Sequence, residues 1–238
     1  MAEQVRAVRT RHAILMAAAK VFEDRGYQAA TIAEILDAAG VTKGALYFHF
    51  QSKDDLAQGV LAEQDHRPAV PPRHSKVQEM VDVVMLHAHN LQTDPLVRAA
   101  VRLSMDQQPG LDRTGPFTRW SHVGAALLAQ ARDRGELLPH VDPAETADVI
   151  VAAFAGVQSM SQALSDYRDL THRVSALLRH TLPSIVPPSL LAALDLTPTR
   201  GAHVHTETHT PTETTQAPTT ETPTPTPTHT TRHPAPTT

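Results

Sequence analysis

A ten-residue stretch, VTKGALYFHF at 41–50, places three aromatic residues within four positions of a chain that is only 4% aromatic. Lys43 and Tyr47 are four residues apart and would share one face of a helix. A lysine can contact a phosphate or a guanine, and a tyrosine can offer its hydroxyl to a phosphate or its ring to a thymine methyl. The types and spacing of these side chains suit a surface that reads nucleic acid.

Two short helices are predicted around this stretch. Thr31, followed three residues later by Glu34, forms a capping box that opens a helix over 31–38. A second helix over 42–49 follows a tight turn that contains Gly40. This is helix-turn-helix spacing, in which the second helix enters the DNA major groove. The alternative from spacing alone is a structural helix pair with a solvated lysine.

The second helix divides into two faces. Leu46 and Phe50 point toward a small core, whereas Gly44 and Ala45 lack bulk and would let the backbone approach DNA closely. Thr42 can cap the helix and reach a phosphate, and Lys53 stands at the start of the next helix. The candidate DNA-contacting residues are Thr31, Thr42, Lys43, Gly44, Ala45, Tyr47, His49 and Lys53.

The charge of the chain confines such a site to its first part. The net charge of -4 does not by itself point to a nucleic acid partner. Residues 1–53, however, contain seven Lys/Arg and five Asp/Glu, and Arg6, Arg9 and Arg11 cluster where the first helix begins. Phosphate contacts would be useful there.

Helical periodicity dominates the remaining sequence, which predicts an all-α fold with a helix-turn-helix head and a helical body. A first helix over 5–25 should end at Gly26. A connector with three prolines, RPAVPPRHSK, covers 67–76. Further helices are expected over 76–91, 95–107, 116–134, 143–166, 169–182 and 188–195.

Three parts of the chain are predicted: a DNA-binding domain over 1–53 with a linking helix over 53–66, a ligand-binding and dimerisation domain over 67–196, and a tail over 197–238. The segment 147–157, ADVIVAAFAGV, is apolar nearly all round, which suggests that a subunit interface buries its second side. The tail is rich in threonine, proline and histidine and is expected to be disordered. It could serve as an interaction segment or be dispensable.

Several function classes lack their sequence signals. There is no cysteine, hence no disulfide or thiolate metal site. Neither an apolar leader nor a membrane span is recognised, so a cytoplasmic location is expected. No catalytic motif is found, and His87 and His89 point too far apart on a helix to share a metal. We expect neither an enzyme nor a bound cofactor or metal.

The segment RHAILMAAAKVFEDRGYQAATIAEILDAAGVTKGALYFHFQSKDDLAQGVL, over 11–61, resembles the DNA-binding domain of TetR-family transcriptional regulators. Within that family, the part over 26–57 is especially similar to the γ-butyrolactone receptors of actinomycetes. The resemblance implies an all-helical homodimer that binds a palindromic operator, usually represses, and releases DNA when a small molecule enters its body. It assigns DNA contacts to Thr42, Lys43, Gly44, Tyr47, His49 and Lys53.

Trp120, the only tryptophan, resembles the pocket tryptophan of that branch and could stack on a lactone. Phe154 and Gln158 lie in FAGVQSMSQAL, which also resembles the branch, and Gln64 at the end of the fourth helix could pass a ligand contact to the head. Taken without the resemblance, Trp120 could simply fill a core. The alternatives for function are a regulator that responds to an antibiotic, furan or butenolide, or a DNA-binding protein without a ligand.

Overall fold

The computed structural model describes residues 2–62, 69–105 and 114–209, and the regular structure of these residues is entirely helical. The prediction of an all-α fold is confirmed. In chain order the helices are α1 Ala2–Ala29, α2 Ile32–Ala39, α3 Lys43–His49, α4 Lys53–Ala62, α5 Lys76–Thr93, α6 Pro95–Met105, α7 Thr114–Asp133, α8 Pro143–Ser165, α9 Leu170–Thr181, α10 Pro188–Leu191 and α11 Arg200–His209.

Helices α1 to α4 form the head around one apolar core. Phe22 of α1, Ile35 of α2, Leu46 of α3 and Leu56 of α4 are all fully buried in it. Gly26 has the positive φ of 75° expected of a helix stop, but helical turns resume beyond it and α1 continues to Ala29. The predicted end of the first helix is therefore a kink.

Helix α6 belongs to two cores at once. Four of its residues, at steps of three and one, pack into the core of the head: Leu96, Ala99, Ala100 and Leu103. On another face Val97 is buried in the core of the body and Val101 packs against that core. A helix with apolar residues on two faces must be covered on both, so α6 ties the head to the body.

The body packs α7, α8 and α9 around the long helix α5. Met85 of α5, Leu128 of α7, Val174 and Leu178 of α9 are fully buried there. Local caps fix the helix starts: Ser75 accepts from the Gln78 amide at the start of α5, and Asp142 accepts from two amides at the start of α8.

For residues 197–209 the prediction of disorder is wrong. Residues 197–199 lead into α11, which packs along α5 with Gly201 and Val204 buried. Arg200 donates two hydrogen bonds to the fully buried carboxylate of Asp82, at 2.7 and 2.6 Å. Composition misses this helix because contacts between distant residues hold it. Arg200 pairs with Asp82 and Glu207 with Arg73, and the backbone at Gly201 lies close against the Met85 carbonyl. The rest of the predicted tail lies outside the described residues.

Candidate functional site

The turn between α2 and α3 is built by the capping residues that the sequence predicts. The Thr31 hydroxyl accepts from the Glu34 amide at 3.2 Å, while the Glu34 carboxylate accepts from the Thr31 amide at 3.0 Å. Gly40 ends α2 in the left-handed region, with φ 62°. The Thr42 hydroxyl then accepts from the Ala45 amide at 3.2 Å and starts α3. The predicted helix pair is confirmed.

Helix α3 presents a polar face outward. Leu46 and Phe50 are buried, whereas Thr42, Lys43 and Tyr47 are exposed. The Lys43 ammonium lies 5.8 Å from the centre of the Tyr47 ring, so the two side chains share one surface. The remaining candidates on this helix are the exposed Gly44 and the half-buried Ala45 and His49.

Packing within the protein does not require a glycine at position 44. A β-carbon placed there would meet no atom within 4 Å. The open space in front of Gly44 is available to a partner that approaches the helix backbone. Beside it Phe48 is 80% exposed and packs edge-on against His49 at 5.0 Å. Phe48 is absent from the predicted contacts, although an aromatic ring this exposed is suited to a partner surface.

Lys53 is engaged within the head. Its ammonium donates to the carbonyls of Tyr27, Gln28 and Ala30, at 2.9, 3.3 and 3.0 Å. An ammonium has three hydrogens, so these bonds use all of them. Nearby, burial and a hydrogen bond to Asp54 raise the pKa of Tyr27 to about 12. In this arrangement Lys53 fastens the end of α1 to α4, and a phosphate would compete with three carbonyls for it.

The cationic residues at the beginning of α1 extend the polar surface. Arg6, Arg9 and Arg11 are all exposed. The Arg11 guanidinium lies over the Phe50 ring at 5.1 Å, which places it next to the C-terminal end of α3. Thr31, the remaining candidate, is exposed at the start of α2.

A cavity in two compartments lies in the body. The inner compartment has a volume of about 100 Å³ and is walled mainly by apolar side chains from α5, α7 and α8. The outer compartment has a volume of about 420 Å³ and lies between α5, α6, α7 and the connector that precedes α5. Both are lined by Val83, His87, Trp120, Val123 and Leu127. A space of this size can hold a small organic molecule.

Three of the four predicted ligand residues come together at this cavity. Trp120 lines both compartments, and Phe154 and Gln158 line the inner one. The His87 ring lies 4.9 Å from the Trp120 ring and 5.4 Å from the Phe154 ring, which makes an aromatic wall between them. Gln64 lies outside the described residues. The structure adds His87 and Asn90 to the lining, which sequence reasoning missed.

The helix α8 has an unpaired apolar face in the single chain. Ala147, Ile150 and Gln158 are buried on its inner side, whereas Val149 and Leu164 are 56% and 67% exposed on its outer side. Exposed apolar surface of this extent commonly marks a contact between subunits. By length and composition alone α8 is also the one helix in the described ranges that could cross a membrane, a property shared by helices buried within proteins. Within the same ranges no cluster of three potential metal ligands occurs.

Comparisons with known proteins agree with this geometry. Residues 14–60 match the family model described as bacterial regulatory proteins, tetR family. The chain is 42% identical to the A-factor receptor protein of Streptomyces griseus over 194 residues, which are 81% of this chain and 69% of that protein.

Two solved structures superpose on most of this chain. Full-length native TylP, a TetR regulator from Streptomyces fradiae, superposes with a TM-score of 0.78 at 42% identity, over 86% of this chain and 99% of that one. A γ-butyrolactone receptor described as ArpA-like superposes with a TM-score of 0.66 at 28% identity, over 85% of this chain and all of the other.

Proposed function

The chain belongs to the TetR family of bacterial regulatory proteins, and we propose that it is a dimeric repressor released from operator DNA by a γ-butyrolactone-like molecule. The observation that carries this proposal is the position of α6. One face of that helix lies in the core of the head that presents α3, and another face borders the cavity. A ligand in the cavity therefore touches an element that also positions the DNA-reading helix.

DNA recognition is assigned to the outer face of α3. Lys43, Gly44 and Tyr47 would meet the major groove, with Thr42 and His49 on the flanking phosphates. The exposed arginines at the start of α1 would add sequence-independent phosphate contacts. Lys53 would act by holding α1 against α4, and would reach a phosphate only by giving up a carbonyl. A DNA-binding regulator of this kind acts in the cytoplasm.

Two copies of the chain would associate through the apolar outer face of α8. A two-fold dimer presents two copies of α3, which fits an operator made of two inverted half-sites. Burial of Val149, Met160 and Leu164 in that contact would remove their exposed surface from water.

The effector is assigned to the cavity around Trp120. The proteins called A-factor receptor and γ-butyrolactone receptor support a butyrolactone-like molecule here. Release needs a difference in ligand affinity between the DNA-bound and free arrangements, typically about 1–3 kcal/mol. The cavity is lined by Val97 and Val101 of α6 and by Ala69 and Val70 of the connector. A bound ligand would therefore contact both α6 and the connector, the two segments that join the body to the head.

The test is a gel-shift titration of a palindromic site from upstream of the protein's own gene. We expect a specific shift, and its loss on addition of a synthetic γ-butyrolactone, with the lactone recovered unchanged by chromatography. Hydrolysed lactone would instead indicate an enzyme. A shift that no lactone reverses would reject this effector class and leave an antibiotic, furan or butenolide sensor, or a regulator without a ligand.

A further inference from the structure

We propose that Asn90, in the outer compartment, is a specificity-determining residue that recognises a hydroxyl group of a neutral effector. This inference rests on the proposed function, because it describes the ligand of the same cavity. Asn90 is 7% exposed, and its side-chain oxygen is buried without a hydrogen-bond partner. Buried polar groups are nearly always bonded in folded proteins, so this oxygen requires an explanation.

The position of Asn90 along α5 directs it toward the cavity. Val83, His87 and Asn90 follow one another at steps of four and three, which places them on one stripe of the helix. All three line the outer compartment. Opposite them Trp120 and Leu127 of α7 form the other wall. Asn90 thus lies about one helical turn beyond His87, the residue that α5 contributes to the aromatic wall.

Glu79 and Gln130, two other polar side chains of the outer compartment, have partners within the protein. The carboxylate of Glu79 accepts from the Lys76 ammonium at 2.7 Å and from the Arg73 amide at 3.0 Å. The Gln130 amide donates to the Ala126 carbonyl at 3.2 Å. Among these three side chains, Asn90 is the one whose polar atom a ligand would satisfy.

The chemistry of the lining defines the ligand class. No described residue of either compartment is a lysine or an arginine, and the one carboxylate, Glu79, is paired. A ligand carboxylate would lose its water without gaining a cation, so a neutral molecule is favoured. A hydroxyl can donate to the Asn90 oxygen, and an apolar chain can fill the inner compartment between Met80, Val84 and Ile150. A closed lactone meets these conditions, and its ring-opened carboxylate does not.

The experiment uses the full-length protein and two synthetic γ-butyrolactones that are identical except that one carries a chain hydroxyl. Binding is followed by the fluorescence of Trp120, the single tryptophan, and by calorimetry. We expect the wild type to bind the hydroxylated lactone about 10-fold more tightly than its partner, as one hydrogen bond to a buried group allows. Asn90→Leu should remove this preference, and the control Gln130→Leu, in the same compartment, should keep it.

Thermal unfolding of the ligand-free variants gives a second readout. Asn90→Leu removes an unsatisfied buried amide, so its midpoint should be equal to that of the wild type or higher by about 2–4 °C. A lower midpoint would show that the amide is structural and overturn the inference.

Three binding outcomes would also overturn it: no preference in the wild type, a preference that survives in Asn90→Leu, or an equal loss of affinity for both lactones. Failure of the wild type to bind either lactone would reject the effector class proposed above as well. Binding of both lactones without discrimination rejects only the role of Asn90, which separates the two failures.

Discussion

The guanidinium of Arg98 in α6 donates to the carboxylate of Glu23 in α1, across the junction between body and head. The side chains are 22% and 23% exposed, so water screens the pair only partly. Arg98 also donates to the Gln92 carbonyl at 3.2 Å, and Arg102 of the same helix donates to the Glu23 carbonyl. The helix that borders the cavity is therefore bonded to the helix that supports the head.

Glu23→Gln should lower the free energy of unfolding by about 1–2 kcal/mol, because it leaves Arg98 with a weaker, uncharged partner in a partly buried place. The matched control is Asp24→Asn, the next residue of α1, whose pair with Lys20 is 3.6 Å long and mostly exposed. That change should stay within about 0.5 kcal/mol. Urea unfolding measures both, and equal effects would contradict the structural role of the Arg98 contact.

Lys43→Ala should weaken operator binding and reduce the slope of log affinity against log salt by about one. Its exposed ammonium on the outer face of α3 is suited to a phosphate or a guanine. Titrations at several salt concentrations give the slope. Arg168→Ala, an exposed cation of the body, is the control, and an unchanged slope for Lys43→Ala would remove this residue from the contact set.

Trp120→Ala should abolish the response to lactone and preserve operator binding, because Trp120 forms a wall of both compartments and lies outside the head. Gel shifts with and without lactone measure the two properties separately. Trp120→Phe, which keeps an aromatic wall, should respond at higher lactone concentration. A normal response in Trp120→Ala would place the effector elsewhere.

Deletion of 210–238 should leave stability and operator binding unchanged, since a segment of this composition has little to pack. Deletion from 197 should instead destabilise the protein by about 2–4 kcal/mol, because Asp82 loses Arg200 while remaining buried. Arg73 still pairs with Asp82 at 2.6 Å, which limits the loss. Chemical denaturation of the two truncated proteins makes the comparison, and equal stability would argue that α11 contributes nothing.

Acid should loosen the contact between α5 and α11. Burial and the neighbouring His205 lower the pKa of His89 from its ordinary 6.5. The folded protein then binds fewer protons than the unfolded chain, so this contribution to stability is full above pH 6.5 and falls as the pH drops below it. His209 stacks on His205 at 4.1 Å, so the ring contacts continue to the end of α11. Thermal midpoints at pH 7.5 and 5.5 should differ less in His89→Gln than in the wild type.

Local signals in the sequence were sufficient for the helix pair α2 and α3 of the head. Thr31, Glu34 and Gly40 act on neighbours within a few residues, so their effect on α2 could be derived from spacing alone. The alternation of buried Leu46 and exposed Tyr47 follows from helix geometry in the same way.

The cavity and α11 depend on contacts between distant residues. Arg200 and Asp82 are 118 residues apart, and no window of local composition contains both. In the sequence nothing distinguishes Asn90 from other helix residues. Its place in the cavity wall depends on Val97 and Trp120, which line the same compartment. The resemblance supplied Trp120, Phe154 and Gln158, whereas Asn90 needed the packed structure.

The double membership of α6 restricts how this protein can be divided and recombined. A fragment that ends with α4 at Ala62 would lack Leu96, Ala99, Ala100 and Leu103, and would leave Phe22 and its neighbours without one wall of their core. The head, α1 to α4, is therefore not expected to fold as an independent domain. A chimera that takes the operator preference of this chain would have to carry α6 with it, and α6 would bring part of the effector preference along.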